Sequence, residues 1–165
     1  MSFLSFRRFG APRRTVSTAK RTRVLGAPIG EVWKVLEDPY QMPRWWPHVE
    51  RMEGVEGDRF TQVFVSKRHR TVRADFRLLA SEPPEAGYPS GHRTWTQEVE
   101  GTPFDRVLQE SITEVLVEPV DEGTRVTIAQ RQKLKGYTRF GALSMRGATI
   151  KRLDQALDGL ARILG

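Results

Sequence analysis

Near Gly136 the hydrophobic period of this chain changes, and that change restricts what the chain can become. Upstream, six segments (49–55, 59–66, 71–80, 93–99, 107–117 and 124–134) carry apolar residues with a period of two or as short β-rich runs, separated by Gly, Pro or charged turns. Downstream, Phe140, Leu143, Gly147, Ile150, Leu153, Leu157, Leu160 and Leu164 recur at steps of three and four. The first pattern predicts strands joined as antiparallel hairpins; the second predicts one helix of about 26 residues, N-capped by Thr138. A single amphipathic helix must bury its stripe against something, and the sheet is the partner on offer.

The start of the chain completes this picture. Residues 15–25 are rich in Thr and Val and read as another strand. Ala27-Pro28 then opens a helix with apolar residues at Ile29, Val32, Trp33, Val35 and Leu36, which Asp38-Pro39 stops. A short helix or turn covers 40–46 before Pro47. The expectation is one α+β domain: a curved antiparallel sheet of about seven strands around a long C-terminal helix.

Length and composition agree. A chain of 165 residues can bury roughly 70% of its unfolded surface without a metal or disulfide. It has no cysteine, which removes disulfides, Cys-zinc sites and thiol nucleophiles and fits a reducing, cytoplasmic setting. No apolar run reaches the roughly 18 residues of a membrane span. The net charge of +7 suggests a nucleic-acid partner only until it is located. Residues 1–23 hold seven of the 27 Lys and Arg and no acid, leaving 20 of each sign in residues 24–165. The body is neutral, and no specific nucleic-acid partner is expected. Residues 1–14 read as a basic N-terminal extension whose Phe3, Leu4, Phe6 and Phe9 beside arginines suit at most a weak contact with an anionic surface; the domain proper is 15–165.

The element order, together with the stretch APIGEVWKVLEDPYQMPRWWPHV from Ala27 to Val49, resembles the START-like (SRPBCC) superfamily of polyketide cyclases and lipid-transfer proteins. The resemblance implies a helix-grip fold with a deep cavity between sheet and final helix. It implies binding or transport of a small hydrophobic or amphipathic molecule, with two alternatives: an aromatase/cyclase-type enzyme acting on a polyketide-like substrate, or an interaction module like the chaperone activators. No catalytic motif runs through the superfamily, so no catalytic residue carries over.

Strand alternation gives an independent estimate of the cavity wall, because residues two apart share a face. Val72, Ala74, Phe76 and Leu78 alternate with Thr71, Arg73, Asp75 and Arg77, so the first set faces inward. In 93–99, Arg93, Trp95, Gln97 and Val99 are inside. A turn at 121–123 would pair Glu118 with Arg125 and Glu110 with Lys133. Those opposite charges mark the outer face and leave Val107, Gln109, Ser111, Thr113, Val115 and Val117 inside, facing Val126, Ile128, Gln130 and Gln132. The same parity sets Thr113 opposite Gln130, Ser111 opposite Gln132, Gln97 near Gln109 and Arg93 near Thr113. The expected ligand-binding residues are Phe76, Arg93, Trp95, Gln97, Ser111, Thr113, Val115, Ile128, Gln130 and Gln132. Tyr137 is placed at the rim and Trp45 or Trp46 at the mouth. Gly141 and Gly147 fall where a side chain on the helix would crowd the ligand or the sheet.

His48, His69 and His92 are scattered without ligand spacing, so no metal is expected, and no GxSxG, P-loop or GxGxxG is present to hold a nucleophile or a cofactor.

Overall fold

A computed structural model describes residues 15–136 and 139–165, with backbone alone at 139 and 140. The basic extension read in residues 1–14, the Thr138 cap and Tyr137 at the rim lie outside the described residues.

Strand β1 (Thr15–Leu25) is followed by helices α1 (Ile29–Glu37) and α2 (Met42–Trp45), linked by a single 3-10 turn at Pro39–Gln41. The carbonyl of Pro28 accepts from the N–H groups of Glu31 at 3.0 Å and Val32 at 3.2 Å, so the proline starts α1 without losing a bond. Asp38 stops α1 and caps the next turn, its carboxylate accepting from the Tyr40 N–H at 3.0 Å. Strands β2 (Val49–Glu56), β3 (Arg59–Val65), β4 (Thr71–Glu82), β5 (Gly91–Gln97), β6 (Leu108–Val120) and β7 (Gly123–Leu134) come next, and α3 (Arg139–Leu164) closes the chain.

The strands form one antiparallel sheet in the order β1-β7-β6-β5-β4-β3-β2. Consecutive strands from β2 to β7 are neighbours. β1 then adds at the far edge beside β7, so α1 and α2 carry the chain from one edge of the sheet to the other. This is the helix-grip architecture expected from the period change.

The charge pairs set the register as anticipated: Glu118 lies opposite Arg125, Glu110 opposite Lys133, Thr113 opposite Gln130 and Ser111 opposite Gln132. Lys133 Nζ approaches Glu110 Oε2 at 2.9 Å. Two details differ. A bulge between Leu108 and Glu110 turns Leu108 inward and leaves Gln109 exposed. An irregular connection with a 3-10 turn at Pro103–Arg106 lies between β5 and β6. It shifts their pairing by two residues, so Arg93 sits opposite Val115 and Trp95 opposite Thr113. A two-residue shift keeps every face and changes every neighbour.

The main core joins Trp33, Trp45, Trp95, Val115, Val126 and Ile128 to Leu153, Leu157 and Leu160 of α3; a smaller cluster holds Val99, Leu108 and Leu134. α3 lies along β1. Arg21 donates from Nε to Asp154 Oδ1 at 2.7 Å and from Nη2 to Oδ2 at 3.1 Å, Arg23 pairs with Asp158, and Arg146 Nε donates to the Thr18 carbonyl at 3.1 Å. The two helices α2 and α3 touch where Gly159 faces the backbone of Trp45. Gly147, expected to be a crowded position, is exposed with open space around it. Leu143, counted in the apolar stripe, is 65% exposed. The first half of α3 therefore presents a different face to the sheet than its apolar pattern suggests.

Candidate functional site

The C-terminal half of α3 is packed into the main core, whereas its N-terminal half meets the sheet mainly at the smaller cluster, through Ala142 and Met145. A cavity of about 690 Å³ lies beneath it. Gly141, Ser144, Met145, Ala148, Thr149 and Arg152 form the helical wall, at steps of three and four along one face. Opposite them, β3 supplies Gln62 and Phe64, β4 Ala74 and Phe76, β5 Trp95 and Gln97, and β6 and β7 Thr113, Gln130 and Gln132. Phe104, Val107 and Leu108 close one side, and Trp46, Pro47 and His48 another.

The aromatic part of this wall is a set of interlocking rings. Phe60 and Phe76 stack with centroids 5.5 Å apart, and Trp95 packs edge-on to Trp46 at 6.0 Å and to Phe60 at 6.5 Å. The Trp45-Trp46 pair divides as adjacent residues must. Trp45 is buried beneath α3, while Trp46, in extended conformation at the end of α2, reaches the cavity. His48, two residues on, adopts φ 65°, a left-handed conformation unusual for a side chain of its size.

The polar part is concentrated under Arg152. Its Nη2 donates to Gln130 Oε1 at 2.7 Å and lies 3.5 Å from Thr149 Oγ1. Gln130 in turn donates from Nε2 to Thr113 Oγ1 at 3.1 Å, and Thr149 donates to Gln132 Oε1 at 3.3 Å. No carboxylate among the described residues pairs with Arg152, and burial pushes its pKa below the ordinary arginine value. Two buried donors on this wall, Arg152 Nε and Gln97 Nε2, have no protein acceptor among the described residues.

Of the residues expected from the sequence, Phe76, Trp95, Gln97, Thr113, Gln130 and Gln132 meet around this cavity. Arg93, Ser111, Val115 and Ile128 face the same side of the sheet and are buried, but they do not line it. Arg93 lies elsewhere under the sheet's concave side. Its Nη1 donates to Ser81 Oγ at 2.7 Å; burial lowers its pKa, and nearby Glu37 partly opposes that. Arg152, Thr149 and Gln62 were missed. Alternation along β3, with Phe60, Gln62 and Phe64 two apart, contained the signal for Gln62; the apolar stripe of α3 pointed away from Arg152.

The fold agrees with the comparisons to known proteins. Residues 17–165 match the family described as polyketide cyclase / dehydrase and lipid transport. The chain belongs to that family. No curated protein matches it by sequence. Among solved structures, SA2116 of Staphylococcus aureus, a protein of unknown function, aligns with TM-score 0.72 at 10% identity over 92% of this chain and 95% of its own. CV1439 of Chromobacterium violaceum aligns with TM-score 0.65 at 19% identity, covering 90% and 97%. The di-domain aromatase/cyclase StfQ of the steffimycin biosynthetic pathway aligns with TM-score 0.70 at 13% identity over 90% of this chain and 50% of the di-domain. At these identities the likeness is one of fold. No helix among the described residues is long and apolar enough to cross a membrane.

Proposed function

We propose that this family member binds and carries a small, largely apolar molecule in the cavity between the sheet and the N-terminal half of α3. The observation that carries this reading is the cavity itself: about 690 Å³, within the range of roughly 300 to 1,000 Å³ typical of small-molecule sites. Its apolar walls are Phe64, Phe76, Trp46, Trp95, Leu108 and Met145, with a hydrogen-bonded polar network of Arg152, Thr149, Thr113, Gln130 and Gln132 on one side. That division suits a ligand of roughly 15 to 30 heavy atoms with a polar end.

Binding is favoured over a cyclase-type reaction by the chemistry of the wall. Its ionisable residues are His48, Lys67 and Arg152, with no carboxylate among the described residues. General acid–base catalysis wants a group that gains and loses a proton near neutral pH, and an arginine keeps its proton there. His48 is exposed at the cavity's edge.

The test is titration with Nile red, a neutral apolar dye, followed by dye emission and by quenching of intrinsic tryptophan fluorescence. One-to-one uptake with quenching is expected, and Trp46→Phe should remove part of the quenching signal because Trp46 lies on the wall. Absence of saturable uptake by the full chain would overturn the reading.

A further inference from the structure

We propose that Arg152, with Gln97 across the cavity, is a carboxylate receptor, so that the ligand is an amphipathic acid and not a neutral lipid. This rests on the binding function proposed above and names the substrate class for the same cavity.

The argument begins with what a guanidinium requires. It carries five N–H donors, stays protonated, and is costly to hold away from water without acceptors. In Arg152 the two donors of Nη2 are directed at Gln130 Oε1 and Thr149 Oγ1. The Nε donor is buried without a protein acceptor among the described residues. Among the described residues the cation has neutral partners only; the ion pairs that neutralise other arginines, such as Arg21 with Asp154, have no counterpart there.

The neighbours hold the arginine ready and leave its charge uncompensated. Gln130 points its carbonyl oxygen at Arg152 because its amide is committed to Thr113 Oγ1. Thr149 directs its hydroxyl proton to Gln132 Oε1. The network thus fixes the guanidinium through Nη2 and leaves its buried Nε donor without an acceptor among the described residues. On the opposite wall, Gln97 Nε2 adds a buried donor without a partner. A cavity offering an uncompensated cation with unfilled donors on both walls, and aromatic and aliphatic surface elsewhere, is complementary to a chain or ring system ending in a carboxylate. A neutral ester or alcohol would accept one bond and leave the charge unanswered.

The experiment uses three probes of matched chain length on the full protein: dodecanoic acid, dodecanol and methyl dodecanoate, each displacing Nile red. Above the titration range of the acid, wild type should prefer dodecanoic acid to dodecanol by roughly tenfold to a hundredfold, the range of a charge-assisted hydrogen bond. That preference should fall as the acid is protonated. Arg152→Met should abolish the preference and keep dodecanol affinity. Gln97→Leu should reduce the preference in part and serves as a second variant if Arg152→Met does not fold. Equal affinity of wild type for acid and alcohol, or an unchanged preference in folded Arg152→Met, overturns the proposal. If wild type binds none of the three probes and no Nile red, the binding reading itself fails, a result distinct from unselective binding.

Discussion

Replacing Gly159 or Gly147 with alanine places the same methyl group on the same helix and should move stability in opposite directions. At Gly147 an added Cβ meets nothing within 4 Å, so the substitution gains only helix propensity, about 1 kcal/mol. At Gly159 the Cβ would fall 2.4 Å from the Trp45 carbonyl oxygen and 2.6 Å from its Cα, where ordinary contact begins near 3.4 Å. The obstructing atoms are backbone and cannot swing aside as a side chain would. Relief requires α2 and α3 to separate by about 1 Å. Overpacking of this kind costs about 3 kcal/mol, against the same propensity gain of about 1, for a net loss near 2 kcal/mol. In a domain of this size each kcal/mol moves the melting temperature by about 2–4 °C. Gly159→Ala should therefore melt about 4–8 °C below wild type and Gly147→Ala about 2–4 °C above it, measured by circular dichroism. Because Trp46 follows directly on Trp45, the Gly159 variant should also weaken Nile red uptake, while the Gly147 variant should not. If both variants shift the melting temperature in the same direction, the close approach of α2 and α3 is refuted.

Three further outcomes are expected. Arg93→Leu should leave Nile red and dodecanoic acid titrations unchanged, since Arg93 donates to Ser81 away from the cavity wall; a weakened titration would return it to the binding site. Glu53 is held below its ordinary pKa of 4.5 by hydrogen bonds from Arg73 and Arg51, so its contribution to stability is present above the unfolded value and is lost as pH falls through the lower folded value. Urea midpoints of wild type and Glu53→Gln should therefore differ near neutral pH and converge in acid and in high salt; a gap that widens in acid would refute this. Removing residues 1–12 should leave the melting temperature unchanged, because β1 begins at Thr15 and pairs from there with Leu134; a large drop would make the arm structural.

The strands were legible because a half-buried sheet writes its two faces into alternate positions. The Glu118-Arg125 and Glu110-Lys133 pairs then selected the outer face. Register between β5 and β6 was not legible, since the connection contains a 3-10 turn and β6 a bulge, neither marked by a residue type that demands it. The helical wall failed for a more general reason. Reading an apolar stripe assumes that whatever faces the sheet touches it. Over the cavity, α3 meets the sheet through the polar contacts of Thr149 and Arg152 with Gln132 and Gln130, and leucines are not required. Leu143 belongs to the stripe by spacing and is in solvent. Arg93 illustrates the same limit: parity placed it inside, but parity says nothing about position along a strand.

The charged attachments of α3 run along its β1 flank, where Thr18, Arg21 and Arg23 hold it through Arg146, Asp154 and Asp158, much as hinges run down one side of a door. The C-terminal half of α3 is also fixed against Trp45 of α2 at Gly159, while its N-terminal half faces Ser66 and Lys67 at the β3–β4 turn across the cavity. A door hung in this way has its latch side fixed by construction. A guest too bulky for the gap would push the N-terminal half of the helix about its β1 flank and widen the slot beside the β3–β4 turn, straining first the Thr149 and Arg152 bonds to Gln132 and Gln130.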